Sequence, residues 1–377
     1  MRALPNASAV LAQAGVRERA PFMSTALNVL MITTNWPKPN GQGTSHFIKR
    51  QAEFLQAAGV NVEVFHFRGE KSVGSYVKAW WGLRSKLRSG GYDLVHAQYG
   101  HCGVIAFPTR LPLVVTLRGS DILGTVSDDS GRYTVAGRLN QALTRFVAAH
   151  ADAVIMVSAH MASSLRGAKR THVIPSGIDF DHFRSVPRDE ARRRLGLPID
   201  EWLILFAGNP RQTRKRYSLA QAAVEALNQR VPARLVVAWD VPHSDIPSYM
   251  YGCDALVFTS MQEGSPNVVK EALACGLPVV SVAIGDVEQR IGGVEGCELC
   301  VDERPEAIAA ALERVLRRGQ RIDGRAAVEH LSEAEITRKV IAVYRSVLNV
   351  RHLGSEPERG DERRPDLAPP PDQGAIA

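Results

Sequence analysis

The chain has 377 residues, 45% of them apolar, which is enough for two domains with separate cores and excludes a small disulfide scaffold or a wholly disordered protein. Residues 1–185 carry a net charge of +10 and the remainder −3, so the first half would attract anions, such as a phosphorylated small molecule or an anionic lipid surface. Nucleic acid is not expected, because no run interleaves basic with aromatic residues and the second half is not basic.

Residues 1–23 contain one weak apolar run and are predicted to be a disordered segment rather than a signal peptide, with Met23 as an alternative start. Short apolar runs then alternate with helical patterns, which predicts buried parallel strands joined by helices. We place a first domain at 24–185, whose predicted strands are 27–34, 60–67, 93–98, 111–117, 151–158 and 171–175.

The same alternation restarts after residue 185 and predicts a second domain at 186–331, with strands at 202–208, 233–239, 254–260 and 277–283. A final amphipathic helix, opened by Ser332, is predicted at 332–350, and the Pro-rich residues 351–377 are predicted to be a disordered tail. The fold class is therefore α/β: two tandem Rossmann-like, doubly wound domains that face each other across a cleft.

A glycine loop follows the first predicted strand. Gly41 and Gly43 have the spacing of a dinucleotide fingerprint, but His46 occupies the third glycine position and the loop is too long for the tight turn. We therefore set hydride chemistry aside. We expect the Gly43 backbone to approach a phosphate.

The stretch EGSPNVVKE places Glu263 and Glu271 eight positions apart. Ser265 is predicted to cap a helix that Pro266 begins, leaving the backbone N–H groups of Asn267 and Val268 free to attract an anion. The alternative is a charged rim on a surface helix.

Together with DLVHAQYG (93–100), LVVTLRGSDI (113–122), VIPSGIDFDHF (173–183) and LFAGNPRQTRKRYSLAQAA (205–223), this stretch resembles the retaining nucleotide-sugar glycosyltransferases of family 4. The resemblance implies the GT-B fold, with the acceptor bound by the first domain, the nucleotide sugar by the second, and the last helix returning to the first domain. It also implies no cofactor and no metal.

By that resemblance, Glu271 would accept hydrogen bonds from the donor ribose, and Glu263 would stabilise positive charge at the anomeric carbon. The backbone of the segment between them would bind sugar hydroxyls and phosphate through Gly264, Ser265, Pro266, Asn267 and Val268.

Two positions depart from the family pattern. Lys215 matches a lysine that neutralises the leaving diphosphate, but Asn209 stands where the family has an arginine, so the second cation is expected from Arg211 or Arg214. Arg118 replaces a histidine near the donor sugar and can orient or neutralise but not act as a base. The leaving phosphate would then be the base, with Asp121 as a second candidate.

The sequence gives less information about the acceptor than about the donor. In residues 75–91, a stripe of Val77, Trp80, Trp81 and Leu87 is interpreted as core packing, with attachment to an anionic membrane at its cytoplasmic face as the alternative. If the membrane alternative holds, the acceptor is lipid-linked.

The expected function is transfer of a hexose-type sugar from a nucleoside diphosphate sugar to a hydroxyl of a glycan or lipid-linked acceptor, in cell-surface polysaccharide or glycolipid synthesis. Asn209 and Arg118 leave open an inactive nucleotide-sugar-binding protein, and a sugar-nucleotide epimerase of the same fold is a further alternative. The five scattered cysteines suggest no disulfide framework and are typical of a cytoplasmic protein. The Asp179–Asp181 pair is not interpreted as a metal site.

Overall fold

The computed structural model describes residues 26–37, 46–69, 72–124, 132–165 and 170–354, with side chains to residue 350. Eleven strands in these residues form two sheets in which every pairing is parallel. The first sheet has the order β2-β1-β3-β4-β5-β6 and the second β11-β10-β9-β7-β8. In both sheets the strand that comes first along the chain, β1 or β7, lies inside the sheet, as in doubly wound folds.

The strands of the first sheet are β1 (Asn28–Thr33), β2 (Asn61–His66), β3 (Leu94–Gln98), β4 (Leu113–Leu117), β5 (Ala153–Met156) and β6 (Thr171–Val173). Those of the second are β7 (Trp202–Ala207), β8 (Ala233–Ala238), β9 (Ala255–Phe258), β10 (Val279–Val282) and β11 (Glu298–Cys300). The central strands β3, β4 and β5 are buried along their whole length, because helices cover both faces of the sheet.

The helices are α1 (His46–Ala57), α2 (Val73–Arg88), α3 (Gly100–Gly103), α4 (Val135–His150), α5 (Arg188–Leu195), α6 (Tyr217–Leu227), α7 (Ile246–Gly252), α8 (Asn267–Ala274), α9 (Val287–Ile291), α10 (Pro305–Arg318), α11 (Arg325–Val328) and α12 (Glu333–Gly354). None of the helices in the described residues combines the length and the apolar character needed to cross a membrane.

The last helix returns to the first domain, as predicted. Tyr344 of α12 is fully buried and its hydroxyl lies 2.6 Å from Nδ1 of His96 on β3, while Nε2 of the same ring lies 2.7 Å from the Thr116 hydroxyl on β4. Ser332 bonds the backbone N–H of Glu335 at 3.3 Å, which is the predicted cap. The helix runs to Gly354, beyond the predicted end at residue 350.

The segment between the domains is tied to the start of α12. Ile178 pairs with Ser332 in an isolated bridge, its N–H bonds the Leu331 carbonyl at 2.8 Å, and its carbonyl accepts from Glu333 N–H at 3.0 Å. Asp179 caps a turn there by accepting from the N–H groups of Asp181 and His182, both at 3.1 Å. These carboxylates therefore lie in the interdomain linker.

Helix α2 packs differently from the core helix that we predicted. Its fully buried residues are Ala79 and Leu83, Trp80 is half-buried, and the Trp81 side chain is 60% exposed. Core packing therefore accounts for only part of the predicted stripe.

Candidate functional site

Two adjoining cavities lie between the domains, at the carboxyl ends of the strands of both sheets, where ligands bind in open α/β folds. We name them the Glu271 cavity, of about 300 Å³, and the Glu263 cavity, of about 490 Å³. Arg214, Lys215, Asn267 and Val268 line both cavities. Gly264, Ser265 and Pro266 line the Glu263 cavity.

Glu263 is held by two cations. Its Oε1 accepts from Lys215 Nζ and from Arg214 Nη1, both at 2.7 Å. Burial alone would raise the pKa of the Glu263 carboxyl, but the charges of Lys215 and Arg214 outweigh it and lower that pKa. Burial lowers the pKa of the Lys215 ammonium, and the contact with Glu263 opposes that shift. The site therefore holds one carboxylate and two positive charges in a partly buried cluster.

Of the two arginines that the sequence left as alternatives, Arg214 is the one at the cavities. Arg211 is exposed and lines neither cavity, and its backbone N–H bonds the side-chain oxygen of Asn209 at 2.9 Å. Asn209 thus shapes the loop that carries both arginines. The geometry favours Arg214 as the second cation.

Helix α8 begins one residue later than predicted, at Asn267, with Pro266 as its cap residue. The predicted cap, Ser265, instead donates from its hydroxyl to Asp286 Oδ2 at 2.8 Å, and no side chain caps the helix. The first N–H groups of α8 are consequently left without a side-chain cap at the cavity wall. The side-chain oxygen of Asn267 is buried with no hydrogen-bond partner among the described residues.

Glu271 lies one turn further along α8 and lines the Glu271 cavity with Arg50 and His243. Burial raises the pKa of its carboxyl, and the positive charges of Arg50 and Lys270 act against that rise. Glu271 is therefore less readily ionised than Glu263. In its ionised form its two oxygens can accept hydrogen bonds from hydroxyls.

Arg118 lies at the Glu263 cavity, where the sequence predicted a group near the reacting sugar. It donates to the Ser176 hydroxyl at 2.8 Å and to the side-chain oxygens of Gln51 and Gln98. Its guanidinium lies 4.6 Å from the centre of the Phe47 ring. These contacts fix a positive charge at the cavity that Glu263 also lines.

Asp121 has a different position from the one expected of a catalytic base. It is buried, lines neither cavity, and accepts from the backbone N–H groups of Arg118, Gly119 and Ile122 at 2.9–3.1 Å. Its carboxylate therefore holds the loop that carries Arg118. Gly43, the other predicted phosphate contact, lies outside the described residues.

The two domains touch through glycine backbone at the wall of the Glu263 cavity. A side chain on Gly264 would meet the Arg118 carbonyl oxygen at 2.7 Å, and one on Gly119 would meet the Gly264 nitrogen at 2.9 Å. Gly119 also has a φ of 127°, which favours glycine. Close approach of the two domains at this point therefore depends on glycine from both.

Among the cavity residues that sequence reasoning missed are Arg50 and His101. His101, on α3, lines the Glu263 cavity; its Nε2 lies 3.0 Å from the Thr34 hydroxyl, and burial lowers its pKa. Its only signal in the sequence is its position just after β3. Arg50 lies within a helical pattern that marks it only as a polar residue of α1.

Two protein-family models match separate parts of the chain. Residues 25–177 match the model described as a glycosyl transferase 4-like domain, and residues 192–318 match that of glycosyl transferases group 1. The two matches correspond to the two sheets of the structure.

Three proteins illustrate the similarity. The teichuronic acid biosynthesis glycosyltransferase TuaC of Bacillus subtilis is 29% identical over 59% of this chain and 61% of its own length. D-inositol 3-phosphate glycosyltransferase 1 of Catenulispora acidiphila is 28% identical over 69% of this chain and 73% of its own length. The crystal structure of Anabaena HepE in complex with UDP-glucose has a TM-score of 0.62 and 17% identity, covering 85% of this chain and 100% of that one. The match to TuaC thus spans less than two thirds of that protein.

Proposed function

Because this chain belongs to the family 4 glycosyltransferases of the GT-B fold, we propose that it transfers a hexose-type sugar from a nucleoside diphosphate sugar to a hydroxyl of a glycan or lipid-linked acceptor, with retention of anomeric configuration. The observation that carries the proposal is the cluster of Glu263, Lys215 and Arg214 at the Glu263 cavity, whose two cations also line the Glu271 cavity. It combines a carboxylate for a developing positive charge with cations for a developing negative one.

The donor would extend across both cavities. Its ribose would lie by Glu271, its diphosphate by Lys215, Arg214 and the start of α8, and its sugar by Glu263. A departing nucleoside diphosphate gains negative charge, which the two cations can neutralise without a metal. HepE was crystallised with UDP-glucose, which makes a uridine donor the first to test.

Arg118 keeps its proton under working conditions, so it would position and neutralise rather than remove a proton. The leaving phosphate would then deprotonate the acceptor hydroxyl on the same face of the sugar, which gives retention. TuaC is named for teichuronic acid biosynthesis, and on this basis we propose cell-surface polysaccharide synthesis as the biological context.

Thermal-shift measurements with UDP, GDP, ADP and their glucose, mannose and galactose derivatives test the donor assignment. We expect one nucleoside diphosphate to raise the unfolding midpoint and its sugar form to be hydrolysed slowly in water, with or without EDTA. Absence of any shift would overturn the proposal. Stabilisation with neither hydrolysis nor transfer would favour the alternative of an inactive binding protein, which Asn209 and Arg118 suggest, and an epimerised sugar nucleotide would favour an epimerase.

The acceptor domain carries an exposed aromatic surface that supports a lipid-linked acceptor. Trp81 and Phe146, which are 60% and 47% exposed, are connected through Trp80 and Phe107: the two tryptophan rings lie 5.0 Å apart, the two phenylalanine rings 5.4 Å apart, and Trp80 Nε1 donates to the Phe107 carbonyl at 2.7 Å. Helices α2 and α4, which supply three of these rings, contain no acidic residue. An exposed aromatic surface on basic helices fits an anionic membrane.

Vesicle sedimentation tests this surface. We expect the protein to bind vesicles of equal parts phosphatidylglycerol and phosphatidylcholine but not pure phosphatidylcholine, and Trp81→Glu combined with Phe146→Glu to abolish binding. Val301→Glu is the matched control, because Val301 is 86% exposed but belongs to the second domain. Equal binding by both variants, or none by the wild type, would remove the membrane from the proposal.

A further inference from the structure

Arg50 joins four parts of the molecule. It lies on α1 of the first domain, its Nε donates to Glu333 Oε1 at 2.6 Å, and its Nη2 donates to the Gly177 carbonyl at 3.1 Å. Glu333 begins the returning helix α12 and Gly177 belongs to the linker. Through the Glu271 cavity, Arg50 also faces the second domain.

One nitrogen of this guanidinium is unused. Arg50 is 7% exposed, and its Nη1 is buried with no hydrogen-bond partner among the described residues. A buried charged donor without a partner is costly, so its presence at a cavity calls for an acceptor that binds there. The sequence gives no sign of this role, because the contacts of Arg50 join residues as much as 283 positions apart.

Glu271 lies on the same cavity with the complementary chemistry. Arg50 and Glu271 both line the Glu271 cavity, and the ion-pair partner of Arg50 is Glu333 rather than Glu271. A guanidinium only donates hydrogen bonds and a carboxylate only accepts them. A hydroxyl does both, so it satisfies the two groups at once.

We propose that Arg50 completes the ribose subsite of Glu271: a ribose hydroxyl of the donor accepts from Arg50 Nη1 and donates to the Glu271 carboxylate. This inference rests on the proposed function, since it assigns to the first domain a residue that binds the nucleotide of the proposed donor. It makes Arg50 a residue that distinguishes ribose from deoxyribose.

A purely structural role for Arg50 makes a different prediction. In that case the residue acts only through its ion pair with Glu333, and removing either partner has the same effect on nucleotide binding. The pair is buried, with 8% of the Arg50 side chain and 2% of the Glu333 side chain exposed, and burial raises the pKa of the Glu333 carboxyl against the effect of the Arg50 charge. A side chain on Gly177 would lie 2.5 Å from Glu333 Oε2, so the packing is tight.

The experiment compares three proteins: the wild type, Glu333→Gln, and the double variant Arg50→Gln with Glu333→Gln. The double variant removes both charges, so neither is left buried alone, and its unfolding midpoint shows whether it folds. Titration calorimetry measures binding of UDP, 2′-deoxy-UDP and 3′-deoxy-UDP, or the corresponding guanosine or adenosine set if the wild type prefers that base.

We expect the wild type to bind UDP roughly 10- to 100-fold more tightly than at least one deoxy analogue, as for a hydrogen bond to a charged group. Glu333→Gln should keep this preference and remain within about threefold of the wild type for UDP. The double variant should lose about 10- to 100-fold in UDP affinity and much of the preference.

Two results would overturn the inference: equal losses in Glu333→Gln and the double variant, or a folded double variant with wild-type affinity and preference. A wild type that binds no nucleoside diphosphate of any base would instead overturn the proposed function, and the inference with it.

Discussion

Glu263 and Glu271 are the same residue type, eight positions apart, yet their surroundings shift their pKa values in opposite directions. Two cations lower the pKa of Glu263 against the effect of burial, whereas burial raises that of Glu271. A firmly ionised carboxylate suits a developing positive charge, whereas binding neutral hydroxyls requires acceptor oxygens rather than a stabilised charge. The surroundings of each glutamate thus match the role proposed for it.

Arg214 and Arg211 form a matched pair for testing the leaving-group site. Arg214→Ala removes a cation from both cavities, so we expect roughly 10- to 100-fold weaker binding of the nucleoside diphosphate and slower transfer. Arg211→Ala changes an exposed arginine three residues away and should leave both nearly unchanged. Titration calorimetry and donor hydrolysis measure the two effects. The reverse ranking would assign the second cation to Arg211.

Arg118 is expected to act on the reaction more than on donor binding. Arg118→Ala removes a positive charge fixed at the Glu263 cavity, and the loss of one such group slows turnover by at least about tenfold, up to ~10³-fold. Nucleoside diphosphate affinity should change little, because Lys215 and Arg214 remain. Arg118→Lys, which retains the charge but not the three side-chain contacts, should recover part of the rate. Wild-type turnover in Arg118→Ala would contradict this role.

The residues whose position at the cavities could be predicted from sequence lie in short continuous segments. Glu263 and Glu271 belong to one stretch, and Lys215 follows a recognisable strand; their roles remain predictions. Arg50 and His101 could not be found, because their positions at the cavities depend on how separate elements pack. Asp121, predicted as a second candidate base, follows the cavity residue Ser120 in sequence. Its carboxylate nevertheless accepts hydrogen bonds from the backbone N–H groups of Arg118 and Gly119.

At the scale of elements, ten of the eleven strands were predicted, since a buried parallel strand is a continuous apolar run. The exception is β11, a three-residue strand at the sheet edge in which Glu298 and Leu299 are only partly buried and Cys300 is buried. The start of α8 was misplaced because the Ser265 hydroxyl bonds Asp286, which is 21 residues further along the chain. Local capping patterns cannot anticipate such a competing partner.

The glycine contact between the loops after β4 and β9 can be tested by adding one methyl group. Gly264→Ala would place Cβ 2.7 Å from the Arg118 carbonyl, so we expect the domains to separate, donor turnover to fall by more than tenfold, and stability to fall by about 1–3 kcal/mol, as for overpacking. Turnover and the radius of gyration from small-angle X-ray scattering measure the change.

Gly293→Ala is the control for this substitution, because an added Cβ there meets no atom within 4 Å. If Gly264→Ala matches this control in both measurements, the domains do not need this close contact.

At the scale of the whole molecule, α12 connects the end of the chain to the first sheet through buried, uncharged polar groups. His96 lies between Tyr344 and Thr116, and burial lowers its pKa to about 3. The same cause lowers the pKa of His243, at the Glu271 cavity, to about 3. Both imidazoles are therefore neutral while they are buried in the folded protein.

Acid should weaken this arrangement over a defined range of pH. An unfolded histidine binds a proton near pH 6.5, whereas folded His96 binds one only near pH 3, so between these values the unfolded state carries more protons and stability falls as pH falls. Each such histidine contributes at most about 1.4 kcal/mol per pH unit. Urea unfolding at pH 7, 6, 5 and 4, with His96→Gln beside the wild type, measures the slope.

We expect His96→Gln to be less stable than the wild type at pH 7, because its contacts with Tyr344 and Thr116 are disturbed, but to lose less stability on acidification. His66→Gln, at an exposed position on β2 of the same sheet, should retain the wild-type slope. The difference between the slopes of the two variants measures how much of the pH dependence of stability comes from His96, which α12 covers. If His96→Gln and the wild type have equal slopes, His96 is protonated equally in both states, and its burial beneath α12 does not control the acid stability of the molecule.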